Sequence, residues 1–203
     1  MLTLTPNISW LFPELPFNKR AEAIAREGFQ AIEFGFPSHV DLAALEDARN
    51  NLGLKIVLFN QDVPVWDKSN RGYLVDPKRR EEFKHTLDQA LEIARRLSVM
   101  KIMLPAGVEL AGMERKAQRE CMLENLRYAA PLAAQAGVLL TIEALNPFDN
   151  PGYFLTSSQE GLEIVKEINH SQVRFQFDTY HLQIMEGNLA ATLATSDGTR
   201  KGA

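Results

Sequence analysis

Short apolar runs alternate along the chain with longer stretches whose apolar residues recur at three- and four-residue steps. The runs at 2–5, 29–34 (AIEF at its heart), 54–59 (LKIVLF), 99–104 (VMKIML), 138–142 (VLLTI) and 173–177 (VRFQF) have the length and β-branched content of buried strands. Between them, 18–27 places Ala21, Ile24 and Ala25 on one face, and 79–97 repeats Phe83, Leu87, Ala90, Leu91, Ala94 and Leu97. The stretch 113–135 carries Met122, Leu123, Leu126, Ala130 and Ala133, and 157–168 and 182 to about 193 complete the helical set. No turn pair such as Asn-Gly joins two apolar runs. Strand and helix in strict alternation predict a parallel sheet with helices outside it.

Punctuation sharpens these limits. Gly28, Gly53 and Gly137 stop helices, Asp41 caps one, and Thr156, with Ser157 as a second candidate, caps the helix after the fifth run. Pro131 is expected to kink or split its helix. The connection NQDVPVWDKSNRGYLVDPK is long for a compact domain. Its Trp66 and Tyr73 suit either a substrate lid or a surface loop anchored by aromatics. From Ala194 to Ala203 no apolar residue exceeds alanine, so 1–193 reads as the domain and 194–203 as a disordered tail.

The chain is 203 residues long and 45% hydrophobic, enough for one core. Neither the glycine-rich dinucleotide fingerprint nor a P-loop follows any strand, which disfavours a nucleotide-binding open sheet. The better fit is an α/β TIM (β/α)8-type barrel with functional groups at strand C-termini. About six β/α units are present where a closed barrel has eight and about 250 residues. The barrel is therefore expected to be incomplete, and bare parallel edges call for a partner, a homo-oligomer among the choices. A net charge of −4 without a basic stripe argues against nucleic acid, and Lys78-Arg79-Arg80, answered by Glu81 and Glu82, reads as a solvated helix start. The single cysteine, Cys121, reads as a core residue. The N-terminus has no signal-peptide pattern and no run is long enough to cross a bilayer, so a cytoplasmic protein without a membrane partner is expected.

The chemistry collects where strands end. Glu143 follows the fifth run at once and opens the polar loop NPFDNPG, and Asp178 follows the sixth. At the tops of adjacent parallel strands two carboxylates suit a hard divalent cation, Mg²⁺ or Mn²⁺, though further ligands are needed. His181 is placed to orient a substrate hydroxyl, and Asp149, Asn146 and Asn7 are further polar candidates at that mouth. Glu33, the one charge in its strand, reads more readily as a satisfied or outward carboxylate than as a pocket residue. His85 reads as solvated, and His170 as a loop residue near the negative end of its helix and not a ligand. No Ser-His-Asp or Cys-His set has supporting context, and zinc hydrolysis would show more His or Cys. Such a site suits proton abstraction next to a carbonyl through an enediolate.

IEALNPFDNPGYFLT together with FQFDTYHLQIMEGNL resembles the hydroxypyruvate isomerase family of the xylose-isomerase-like TIM barrels. NISWLFPELPF, IEFGFP and ENLRYAA resemble it too, and the likeness spans about residues 1–193. The resemblance implies interconversion of hydroxypyruvate and tartronate semialdehyde, or of a 2-oxo-tetronate. It implies that Glu143 is acid/base and metal ligand, that Asp178 is a metal ligand and that His181 is the substrate-side histidine. Asp149 stands where related epimerases carry a substrate-side Glu. The family draws a further ligand and a second catalytic Glu from strands seven and eight, which have no counterpart here. The expectation is weak metal binding and impaired turnover unless another chain completes the barrel. The alternatives are a non-catalytic remnant that binds metal or sugar acid and needs a partner, and a metal-dependent nuclease on the same barrel.

Overall fold

A computed structural model describes residues 4–196. In chain order the elements are α1 (Phe17–Arg26), β1 (Ala31–Glu33), α2 (Leu42–Leu52), β2 (Lys55–Asn60), α3 (Arg80–Leu97) and β3 (Lys101–Met103). Then come α4 (Arg115–Ala136), β4 (Leu139–Glu143), α5 (Ser158–Ile168), β5 (Val173–Gln176), α6 (Thr179–Met185) and α7 (Leu189–Ser196). The sheet runs β1-β2-β3-β4-β5 with every pairing parallel, so each helix returns the chain to the next position. Among the described residues this is an open arc of an α/β barrel.

The core follows the apolar spacing. Phe83, Leu87, Ala90, Leu91, Ala94 and Leu97 of α3 are all buried, as are Met122, Leu123, Leu126, Ala130 and Ala133 of α4. They pack against Ile32, Ile56, Ile102, Leu140 and Ile142 from the strands. Phe34 and Phe59 stack with ring centroids 5.1 Å apart just beyond β1 and within β2. Cys121 is buried, as its helical place predicts.

Five expectations need correction. The strand expected over 2–5 is reduced to one parallel bridge, Asn7 to Glu33, flanked by Glu33 N–H to Pro6 O (3.0 Å) and Ile8 N–H to Glu33 O (2.8 Å); residues 1–3 lie outside the described ones. Pro6 has no N–H to donate, which limits the ladder there. The α5 cap is Ser157, whose side chain accepts from Glu160 N–H, and not Thr156. Pro131 does not split α4, because a proline removes one backbone bond while buried Ala129, Ala130 and Ala133 still fix both halves to the sheet. The expected tail begins late: residues 194–196 belong to α7, and 197–203 lie outside the described residues. The basic cluster is also less solvated than expected, since Arg79 pairs with Glu82, bonds Asn70 and lies 4.3 Å over Tyr73, and Arg80 pairs with Glu124. No helix among the described residues is long and apolar enough to cross a membrane.

Candidate active site

The register of β4 and β5 builds the site. Glu143 pairs with Gln176 in the ladder, and Asp178 stands two residues further on, so both carboxylates leave neighbouring strands at one end of the sheet. Glu143, Asp178 and His181 each present a donor atom within 4.8 Å of the others. Asn146, at the start of the β4–α5 loop, is fully buried.

Glu143 is 6% exposed, and burial, with Asp178 crowding it and sharing its proton, pushes its carboxyl up to about 8. The Gln176 amide opposes this, and Thr141 Oγ1 steadies that amide by donating to Gln176 Oε1 at 3.0 Å. Asp178 has a second task as the cap of α6. Its Oδ1 accepts from Tyr180 N–H (2.7 Å) and His181 N–H (3.3 Å), which leaves Oδ2 outside those bonds. These two tasks separate by mutation. Asp178→Asn keeps the cap and should leave the melting temperature almost unchanged, whereas Asp178→Ala should cost about 1 kcal/mol. Both should weaken Mn²⁺ binding in a calorimetric titration; equal Mn²⁺ affinity in wild type and Asp178→Asn would remove Asp178 from the ligand set.

His181 is held in one tautomer. Its Nδ1 accepts from Asn146 N–H at 3.1 Å and from the Asn146 side-chain amide at 2.8 Å, so the ring proton resides on Nε2. Burial lowers its pKa, with Asp178 and Asp149 opposing, which favours a neutral ring that donates from Nε2. The same Asn146 amide donates to Asp149 Oδ2 at 2.9 Å, while Asn146 Oδ1 closes a turn by accepting from Phe148 N–H and Asp149 N–H. Asp149 is exposed, takes a second hydrogen bond from Tyr180 Oη at 2.6 Å, and is lowered by these two donors. Asp149 thus braces Asn146 and Tyr180 at the rim.

Asn7 spends its amide on Glu33 Oε1 (3.2 Å) and its Oδ1 on Ser9 N–H (2.9 Å). Glu33 matters more than its sequence context suggests. Burial raises its pKa and Asp178 adds to the rise, so it shares a field with Asp178 and Glu143. Two further residues were not singled out from sequence. Gln176 is visible only once the register is known. Tyr153, buried behind the site, accepts from Ala106 N–H at 2.8 Å and is raised by burial.

The donor set fits a hard cation. Two carboxylates face each other with one forced to keep its proton, a repulsion that a divalent ion would relieve, and the surrounding donors are oxygen and amide groups with no thiolate.

A parallel sheet delivering its acids to one rim is the arrangement of a barrel enzyme. A family model described as xylose isomerase-like TIM barrel matches residues 21–200. Hydroxypyruvate isomerase of Escherichia coli is 35% identical over 193 residues, covering 95% of this chain and 75% of that protein. A 2-oxo-tetronate isomerase of Cupriavidus necator is 38% identical over 187 residues, covering 92% and 72%. A crystal structure from Brucella melitensis, described as an AP endonuclease of family 2, superposes with a TM-score of 0.92 at 34% identity, covering 98% and 76%. The chain belongs to the xylose isomerase-like TIM barrel family, and its curated relatives there are isomerases, which makes it by family an enzyme.

Proposed function

We propose that this protein interconverts a small hydroxy-oxo acid and its isomer, hydroxypyruvate with tartronate semialdehyde or a 2-oxo-tetronate pair, by moving a proton through an enediolate. The observation that carries this reading is the convergence of Glu143, Asp178 and His181, whose ring proton is held on Nε2. Glu143 takes the proton from the hydroxyl-bearing carbon next to the carbonyl and returns it to the former carbonyl carbon. Meanwhile the hydroxyl proton passes from one substrate oxygen to the other through the enediolate. The proton affinity of Glu143 would fall beside a divalent ion, which leaves its carboxylate free to accept the proton from carbon. His181 donates from Nε2 to a substrate oxygen and stays neutral. Glu143 and Asp178 would hold Mg²⁺ or Mn²⁺, which when bound polarises the carbonyl and offsets charge on the enediolate. Asn146 and Asp149 keep the imidazole aimed, and Asn7 holds Glu33 at the opposite side of the mouth.

The test is an isomerisation assay with hydroxypyruvate and with 2-oxo-tetronate, in Mg²⁺ or Mn²⁺, using the Escherichia coli enzyme as positive control. The expected result is turnover of either acid that chelator abolishes and Mn²⁺ restores. It should be slower than that of the Escherichia coli enzyme, because strands seven and eight have no counterpart here. Inertness toward both, in a folded and metal-loaded sample, defeats the assignment. The description of the Brucella structure favours a second reading, metal-dependent cleavage of DNA. The net charge of −4 speaks against it, and nicking of abasic DNA in the same buffers distinguishes the two.

A further inference from the structure

Midway along the connection from β2 to α3 stands a buried cation that no acid contacts directly, although the charge of Asp67 reaches it. Arg71 is 6% exposed, and among the described residues it forms no ion pair. Its Nη1 donates to Asn150 Oδ1, whereas Nε is buried without an acceptor. The Trp66 ring, 5.4 Å from the guanidinium carbon, offers a cation–π contact, a weaker answer to a desolvated charge than a carboxylate. A buried charge left in this state is costly unless a ligand supplies the counter-ion.

Its position connects it to the site. Asn150, its one partner, donates its backbone N–H to Asn146 O at 3.1 Å, and Asn146 is the residue that aims His181. Tyr153 lies between, close enough to feel the charges of both Glu143 and Arg71. The next residue, Gly72, pins this stretch. It bridges to Ala106 just past β3 with φ +121°, and a Cβ there would stand 2.2 Å from Pro105 O. The guanidinium is therefore preorganised. With Nη1 taken and Nε sealed from solvent, Nη2 is the donor left to meet a ligand's carboxylate oxygen.

We propose that Arg71 binds the carboxylate of the substrate and so selects acids over neutral hydroxy-ketones. This rests on the isomerase reading above, and deepens it by naming the residue that recognises the acid group.

The test compares hydroxypyruvate with dihydroxyacetone, the same hydroxy-ketone bearing a hydroxymethyl group in place of the carboxylate. Each is titrated calorimetrically into the Mn²⁺-loaded chain, and acetate binding is followed by Trp66 fluorescence in a Trp10→Phe background. Wild type should bind hydroxypyruvate roughly tenfold or more tighter than dihydroxyacetone. Arg71→Gln should erase that preference while leaving dihydroxyacetone affinity unchanged, and Arg71→Lys, which keeps the charge, should keep part of it. Should Arg71→Gln retain the preference, the proposal is overturned and the isomerase reading stands. If wild type binds neither compound, both fall together. Should Arg71→Gln fail to fold by circular dichroism, wild type decides alone: acetate must shift Trp66 emission and compete with hydroxypyruvate, and the absence of both effects overturns the proposal.

Discussion

Replacing Glu143 with Gln is expected to slow isomerisation by on the order of 10³-fold while making the metal-free protein more stable above neutral pH. The first effect follows from removing the group that accepts and returns the proton. The second follows from linkage. Folding raises the Glu143 carboxyl from an ordinary 4.5 to about 8, so between those values the native state holds a proton that the unfolded chain has released. The associated stability is fully present below pH 4.5 and is lost as pH rises to about 8, by at most about 1.4 kcal/mol per unit. Gln has no proton to lose, so the variant should lack this decline, and Mn²⁺ should flatten it in wild type. Denaturant melts from pH 5 to 9, with and without Mn²⁺, measure both. Parallel pH profiles in wild type and Glu143→Gln would show that Glu143 does not titrate as its burial demands.

Among the described glycines, Gly72→Ala should be the substitution that clashes hardest with rigid backbone. The added methyl would sit 2.2 Å from the carbonyl oxygen of Pro105, against backbone that has no rotamer to give, and φ +121° is unfavourable for alanine. A loss of about 3 kcal/mol or more is expected, read as a lower denaturation midpoint at unchanged slope. By contrast, Gly28→Ala meets nothing within 4 Å and pays only for its left-handed φ of +87°, so it should cost about 1 kcal/mol. Equal losses in the two variants would mean that the close approach to Pro105 is not what fixes the loop.

The parts of this protein that could be read from residues alone are those whose signal is local. The α3 stripe declares itself because helical spacing brings Phe83, Leu87, Leu91 and Ala94 onto one face. Glu143 and Asp178 stand out because a buried strand that ends in a carboxylate is a pattern in itself, and β4 and β5 do lie side by side. What stayed hidden depends on distant neighbours. Glu33 lies on a strand of only three residues, too short for alternation to reveal its side, and its importance comes from the field of Asp178 across the mouth. Gln176 requires the β4–β5 register. Arg71 looks like any loop arginine, and its burial depends on Asn150, 79 positions later. Among the described residues the N-terminal strand leaves one bridge, and the missing N–H of Pro6, legible from sequence, limits the ladder there. The family resemblance supplied the roles, which spacing could not.

The connection between β2 and α3 is built in two unlike halves. Residues 64–69 are mostly exposed, whereas Tyr73, Leu74 and Val75 are buried, Leu74 O accepts from Asn125 of α4, and Gly72 is locked to the end of β3. Arg71 sits at the seam between them. Insertions or deletions at the outer half would therefore leave the buried backbone that follows Arg71 untouched. A connection divided in this manner tolerates drift in its exposed half while the buried half, and with it the acid recognition proposed for Arg71, is held in place.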